Sequence, residues 1–341
     1  MRTLAVTGAL AGLCLVAACG GGTTPPRRAD TGGIKIGLLL DDLRQERWKR
    51  DRDLFVSRAE ELHAKVEVKT GDGNPDTQLK AANELLDAGV KVLVVVPNDL
   101  EKAVAIVDAA AAKKVPVISY DRLIRNADVE LYVSFDNVKV GRMQAEVLLN
   151  RAPRGNYVLL GGAQSDNNAR LLRDGQMEVL KPAVSSGAVK IVAEPWIDRW
   201  DEANARTEMA NILKKTKNIV AVVASNDSIA KGAIDALTEA KLAGSVAVSG
   251  QDAELGACQR IVAGTQAMTV YKPLKPLARM AAGAAWSLAN GQPIDSLVKM
   301  NNGKKDVPAR LLDPISVEKS NIDVTVINDG YHTQAEVYGS K

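Results

Sequence analysis

Polar side chains gather at six places along the 341-residue chain. These are D-D-L-R-Q-E-R-W (Asp41 to Trp48), the pair Asp121–Arg122, S-D-N-N (Ser165 to Asn168), S-N-D (Ser225 to Asp227), the pair Gln251–Asp252, and Y-K-P (Tyr271 to Pro273). Carboxylates only accept hydrogen bonds, Arg and Lys only donate, and Asn does both. A neutral ligand carrying several hydroxyls needs that mixture, because each hydroxyl donates one bond and accepts others. Bonds to charged partners are worth about 1.5–3 kcal/mol each. Aromatics make up only 4% of the chain, so their placement matters. Trp48 and Trp200 have polar neighbours and suit the apolar C–H face of a ring. Trp196 is a weaker candidate, and Trp286 in M-A-A-G-A-A-W reads as core.

Other chemistries fit less well. Gly161–Gly162 matches neither a dinucleotide fingerprint nor a phosphate loop. Asp41 and Asp42 after the first strand would repel a phosphate. Of the two histidines, His63 lies in a helical stretch and His332 near the C-terminus, both expected at the surface. Neither H-E-x-x-H nor G-x-S-x-G occurs. G-D-G-N-P-D (Gly71 to Asp76) lacks the spaced acids of a calcium loop and reads as a turn, with Asp76 or a neighbour capping the next helix. No metal or cofactor is expected. An Asp or Asn after a strand often caps a helix. Asp227, before Ser228 and Ile229, is assigned that role and kept out of the site.

The clusters follow apolar, β-branched runs: 34–40, 65–68, 90–96, 115–120, 131–135, 156–161, 189–193, 219–224 and 246–250. Helical periodicity fills most gaps, as in Ala81–Ala88, Leu100–Lys113, Val140–Asn150 and Ile229–Ala240. Continuous apolar strands separated by helices predict parallel sheets covered on both faces, a doubly wound α/β architecture. One sheet this large would be unusual, so two similar lobes are expected. In open parallel sheets, ligands bind beyond the carboxyl ends of the strands. The clusters share that address, which outweighs the helix-cap reading of any single one.

The N-terminus reads as an export leader. Arg2 precedes an apolar run, Leu4 to Ala18, too short for a comfortable membrane span. It ends V-A-A-C, like a lipoprotein cleavage site, making Cys19 the candidate lipid-bearing residue. A Gly/Thr/Pro tether follows. The leader takes Cys14 and Cys19, leaving Cys258 without a disulfide partner and better suited to a small core residue than to a nucleophile. With 44 basic and 41 acidic residues the net charge is +3, which gives no general field for nucleic acid.

Several motifs resemble the periplasmic sugar-binding proteins of the ribose/galactose/xylose class, from about Ile34 to about His332. They are D-D-L-R-x-E-R-W-x-x-D-R-D, x-Y-D-R-x-I, S-F-D-N-x-K-V-G, D-N-N-A-x-L, V-V-A-S-N-D, S-G-Q-D-A, A-M-T-V-Y-K-P and M-N-N-G-K-K-D-V-P. The resemblance implies two α/β lobes with a ligand cleft between them, joined by crossings near Phe135–Asn137, Val270–Pro273 and Pro308–Pro314. It divides the chain into leader 1–18, tether 19–33, a first lobe of 34–135 plus 272–309, and a second of 136–271 plus 310–341. It implies sugar contacts from Arg47, Asp121 and Arg122, from Asp166, Asn168, Asn226 and Asp252, and from Lys272 at a crossing, with Trp48 and Trp200 stacking. The implied ligand is a monosaccharide, D-xylose first. The implied partners are an ABC transporter's permease and ATPase, met by an exported monomer. A sensory module for a chemoreceptor or sensor kinase would keep the same site. A repressor's effector domain would need a DNA-binding helix pair where the leader stands. A carbohydrate-acting enzyme would need a free acid, whereas Asp121 and Asp252 are expected to be held ionised by basic partners.

Overall fold

The structure is a computed structural model describing residues 33–339 apart from residue 297. The expected leader and the candidate lipid-bearing Cys19 lie outside the described residues. The first lobe begins with β1 (Lys35–Leu40), α1 (Glu46–Glu61), β2 (Lys65–Thr70), α2 (Pro75–Asp87), β3 (Val92–Val95), α3 (Val104–Ala112), β4 (Val117–Tyr120) and β5 (Leu131–Phe135). The second continues with α4 (Asn137–Arg151), β6 (Gly155–Leu160), α5 (Asn167–Ser185), β7 (Val189–Ala193), α6 (Glu202–Lys215), β8 (Ile219–Ala224), α7 (Asp227–Glu239), β9 (Ala247–Val248), α8 (Leu255–Ala263) and β10 (Thr269–Tyr271). The chain then runs through α9 (Leu274–Ala289), β11 (Val298–Asn301), β12 (Asp306–Leu312), β13 (Ile315–Val317) and α10 (Gln334–Tyr338).

Two sheets result, the second parallel throughout and the first parallel except for β11, which runs antiparallel to β12. The first has the order β11-β12-β5-β4-β3-β1-β2, the second β7-β6-β8-β9, and β10 pairs with β13 as a separate ribbon. The four strands after residue 250 carry weaker apolar runs, and sequence pattern did not mark them. β12 is held by a long-range register instead, running parallel to β5 with Leu312 opposite Phe135. Helices cover both faces of the first sheet. α1 and α9 close one side around Phe55, Leu277 and Ala281, and α2 and α3 close the other around Leu85 and Ile106. The chain leaves the first sheet after β5, returns to it through α9 after β10, and leaves it again after β12 for the β10–β13 ribbon.

Close helix packing stiffens the second lobe. A Cβ on Gly141 of α4 would lie 2.0 Å from the carbonyl oxygen of Leu172, and one on Gly175 of α5 would lie 2.0 Å from that of Val138. The two backbones therefore touch where neither residue has a side chain. Asn74 caps α2 through bonds from Asp76 and Thr77 N–H. Asn226, not Asp227, caps α7 by accepting from Ile229 N–H. His332 is buried rather than at the surface, and its Nε2 lies 2.8 Å from the Ala253 carbonyl oxygen.

Asp227 is fully buried, beside a half-buried Glu254. Burial pushes Asp227 up to about 7 and Glu254 up to about 8. The charge of Asp252 adds to both shifts and that of Asp227 to Glu254's, while Arg260 opposes them. The unfolded values are about 3.9 and 4.3. The folded state thus binds more protons between about pH 4 and 8, and stability falls as pH rises through that window. The melting temperature should drop from pH 5 to pH 8, and Glu254→Gln should flatten the slope. A thermal melt at the two pH values checks both. Gly175→Ala should cost about 1–3 kcal/mol, because a methyl is forced against a backbone carbonyl. A denaturant titration of that variant measures it.

Candidate ligand-binding site

A cavity lies between the two sheets, beyond the carboxyl ends of their strands. Gln45, Arg47, Trp48, Asp121 and Arg122 line it from the first lobe. Asp166, Asn168, Trp200, Asn226, Gln251 and Asp252 line it from the second, and Lys272 from the crossing after β10. All ten candidate residues are therefore brought together. Each is 1–7% exposed, so the wall side chains are almost wholly shielded from bulk solvent. Gln45 and Gln251 complete the wall. Both lay inside recognised clusters, but nothing in residue type alone separated them from their neighbours. Trp196 stays outside the lining, under Arg173.

Each wall residue is fixed by an element end. Arg47 and Trp48 occupy the first turn of α1, and Asp121 and Arg122 follow β4. Asp166 is the N-cap of α5, accepting from Asn168 N–H, so the capping bond also fixes the cavity wall. The same holds for Asn226 on α7. Trp200 lies in a short turn where Arg199 and Trp200 have φ of 56° and 55°. Its ring fits only because Gly162 opposite has no side chain, since a Cβ there would meet the indole at 2.2 Å. Asp121 (φ 61°) and Asp252 (φ 95°) are also in the left-handed region. Three wall residues thus hold conformations that cost of order 1–3 kcal/mol each, strain of the kind that concentrates at ligand clamps.

Electrostatics set the charge pattern. Arg47 donates to Asp51 at 3.0 Å, to Asp121 at 2.8 Å and to Asp252 at 3.2 Å. Burial opposes its charge, but Asp121, Asp51 and Asp252 outweigh that and hold the guanidinium well above its ordinary value. Burial would also raise Asp121, yet Arg47, then Lys272 and Arg122, hold it below the usual carboxylate range. Arg122 joins Asp41 at 2.7 Å and Asp166 at 2.8 Å. Burial outweighs Arg122 at Asp166 and pushes that carboxyl up. Lys272 Nζ lies 2.9 Å from Asp252. Asn168 donates to Asp121 Oδ1 and accepts from Asn137. Asp41 supports Arg122, and Asp42 pairs with Arg44; neither lines the cavity.

Two wall atoms, Trp200 Nε1 and Gln251 Oε1, are buried and have no protein hydrogen-bond partner. One is a donor and the other an acceptor. A molecule in this cavity is therefore offered unspent bonds of both kinds, beside Trp48, Trp200 and a set of fixed charges. Around the rim the lobes also meet directly. Leu100 N–H donates to the Ser165 carbonyl, Arg125 to Asn167, and Arg50 stacks on Tyr331 at 4.3 Å.

Residues 36–293 match the family model described as periplasmic binding protein domain. The chain is 50% identical over 305 residues to the D-xylose-binding periplasmic protein of Escherichia coli (strain K12), covering 89% of this chain and 92% of that one. It is 49% identical to the protein of the same name from Haemophilus influenzae, with the same coverages. In three dimensions it resembles a carbohydrate transporter solute binding protein from Chloroflexus aurantiacus, solved in complex with D-glucose. That match has a TM-score of 0.83 at 32% identity, covering 88% of this chain and 97% of the other. With the two-sheet architecture and the walled cavity, these likenesses establish that the chain belongs to the periplasmic binding protein family.

Proposed function

We propose that this chain captures D-xylose outside the cytoplasm and delivers it to the permease and ATPase of an ABC-type importer, without altering the sugar. The observation that carries the reading is the cavity between the lobes, with buried donors and acceptors and Trp48 and Trp200 in its wall. The names of the two bacterial relatives support xylose within that class. The pairing of Asp121 and Asp252 with Arg47 and Lys272 supports binding over catalysis, because two acceptors locked in ion pairs supply neither a proton donor nor a free nucleophile.

The ten residues act in three groups. Trp48 and Trp200 stack on the ring faces. Asp121, Asp166 and Asp252 accept from hydroxyls, while Arg47, Arg122 and Lys272 donate to them. Asn168 and Asn226 do both. The two lobes hinge at the crossings after β5, β10 and β12, and the sugar favours the closed form because its contacts come from both. The protein acts as a monomer and is held to a membrane through lipid on Cys19.

Xylopyranose carries no exocyclic hydroxymethyl, so a tight wall can close against that edge of the ring. Glucose must either push its extra group into the wall or leave a buried polar group unpaired, at about 1–3 kcal/mol. D-xylose should therefore bind at least about tenfold more tightly than D-glucose in titration calorimetry. Trp200→Ala should weaken both by a similar factor, because stacking reads the ring face and not the hydroxyl pattern. Equal or tighter binding of glucose would move the assignment to a hexose, as in the Chloroflexus complex. Cys19→Ala should shift the protein from the membrane fraction to the soluble one, or leave the precursor uncut, on fractionation and immunoblotting.

A further inference from the structure

Asp252 is the wall residue that ties Arg47 of the first lobe to Lys272 of the crossing. It does so from an unfavourable backbone. Its φ is 95° and that of Ala253 is 50°, two consecutive non-glycine residues in the left-handed region. Such a turn persists only where its surroundings over-determine it. The residue that does so is Asp227, which is 0% exposed and not part of the cavity wall.

Asp227 engages the turn through its backbone and both carboxylate oxygens. Its N–H donates to the Gln251 carbonyl at 3.0 Å. Oδ2 accepts from Glu254 N–H at 3.0 Å and from Thr269 Oγ1 at 2.8 Å. The Thr269 hydroxyl in turn accepts from Ala253 N–H at 3.2 Å, which makes it a relay from the carboxylate into the turn. Oδ1 accepts from Gln266 Nε2 at 2.8 Å. Room for the carboxylate comes from Gly250, where a Cβ would lie 1.9 Å from Oδ1. The charged groups facing it are Arg260 on α8, and Asp252 and Glu254 in the turn.

We infer that Asp227 is a positioning residue for the sugar site: as a two-oxygen acceptor beneath the 250–254 turn, it holds Asp252 where it meets Arg47, Lys272 and the ligand. An amide cannot replace it, since one of its two acceptors would become a donor facing other donors. The inference rests on the site reading above.

The test is D-xylose calorimetry at pH 8 on the full chain. It uses the wild type, Asp227→Asn, Asp252→Asn, the double variant, Thr269→Val and Thr269→Ser. Asp227→Asn should weaken binding by about tenfold, the scale of one buried polar mismatch. The loss should vanish in the Asp252→Asn background, because a residue acting through Asp252 has nothing left to position there. A general loosening of the fold would cost the same in both backgrounds. Thr269→Val should lose affinity and Thr269→Ser, which keeps the hydroxyl, should restore most of it. That pair decides the matter if Asp227→Asn does not fold. Wild-type affinity in Asp227→Asn, equal losses in both backgrounds, or identical behaviour of Thr269→Val and Thr269→Ser each overturns the inference. Failure of the site reading looks different: the wild type would bind no D-xylose, or Asp252→Asn would bind it as tightly as the wild type.

Discussion

One buried guanidinium joins carboxylates from both lobes. Arg47 is 3% exposed and meets three carboxylates: Asp51 from its own helix, Asp121 from the end of β4 and Asp252 from the other lobe. Taking such a group out of water costs several kcal/mol, and only well-placed anions repay that. Separating the lobes would break the bond to Asp252 and let water reach the others. The arrangement makes the cavity's charge pattern and the closed geometry the same fact. Tyr120 extends the network by donating to Asp51 at 2.5 Å, which anchors Arg47 to the first-lobe core.

The rest of the site is arranged so that its polar atoms cannot collapse onto each other. Arg122 is spread between Asp41, Asp166 and the Pro97 carbonyl. Asn168 is held by Asn137 and the Asp121 backbone. Tyr132 and Ser134 both donate to the Asp121 carbonyl, fixing a residue that has a left-handed φ. Preorganisation of this kind lowers the ordering cost of binding, since few side chains remain to be immobilised. It also explains why a protein with so many charges in one cavity need not be an enzyme. Each charge along the Arg47 axis is already answered by another.

A second layer lies under the second lobe's wall. Gln144 donates to the carbonyls of Ser225 and Gly250, and Gln266 and Thr269 converge on Asp227. His332 reaches the Ala253 carbonyl from the C-terminal segment. These residues carry no ligand contact in the cavity, yet the turn carrying Asp252 depends on them. Buried polar groups that are fully paired rigidify their surroundings.

By itself the sequence determined the alternation of apolar strands and amphipathic helices, and hence a doubly wound α/β chain whose polar clusters stand at strand ends. Local spacing is enough for that, because strand and helix periodicities are properties of a few neighbouring residues. The β12 strand was not legible, since its place beside β5 depends on a pairing 177 residues away. Gln45 and Gln251 were not separable from their neighbours, because lining a cavity is a matter of direction and not of residue type. Asp227 was read as a helix cap and His332 as a surface residue. Tertiary structure put the cap on Asn226 and buried both others beneath a turn, because burial is decided by what packs on top. The pairing of Arg47 with Asp252 was beyond local reading for the same reason. Those residues are 205 positions apart, and only the folding of two lobes against each other brings a buried charge to its counterpart.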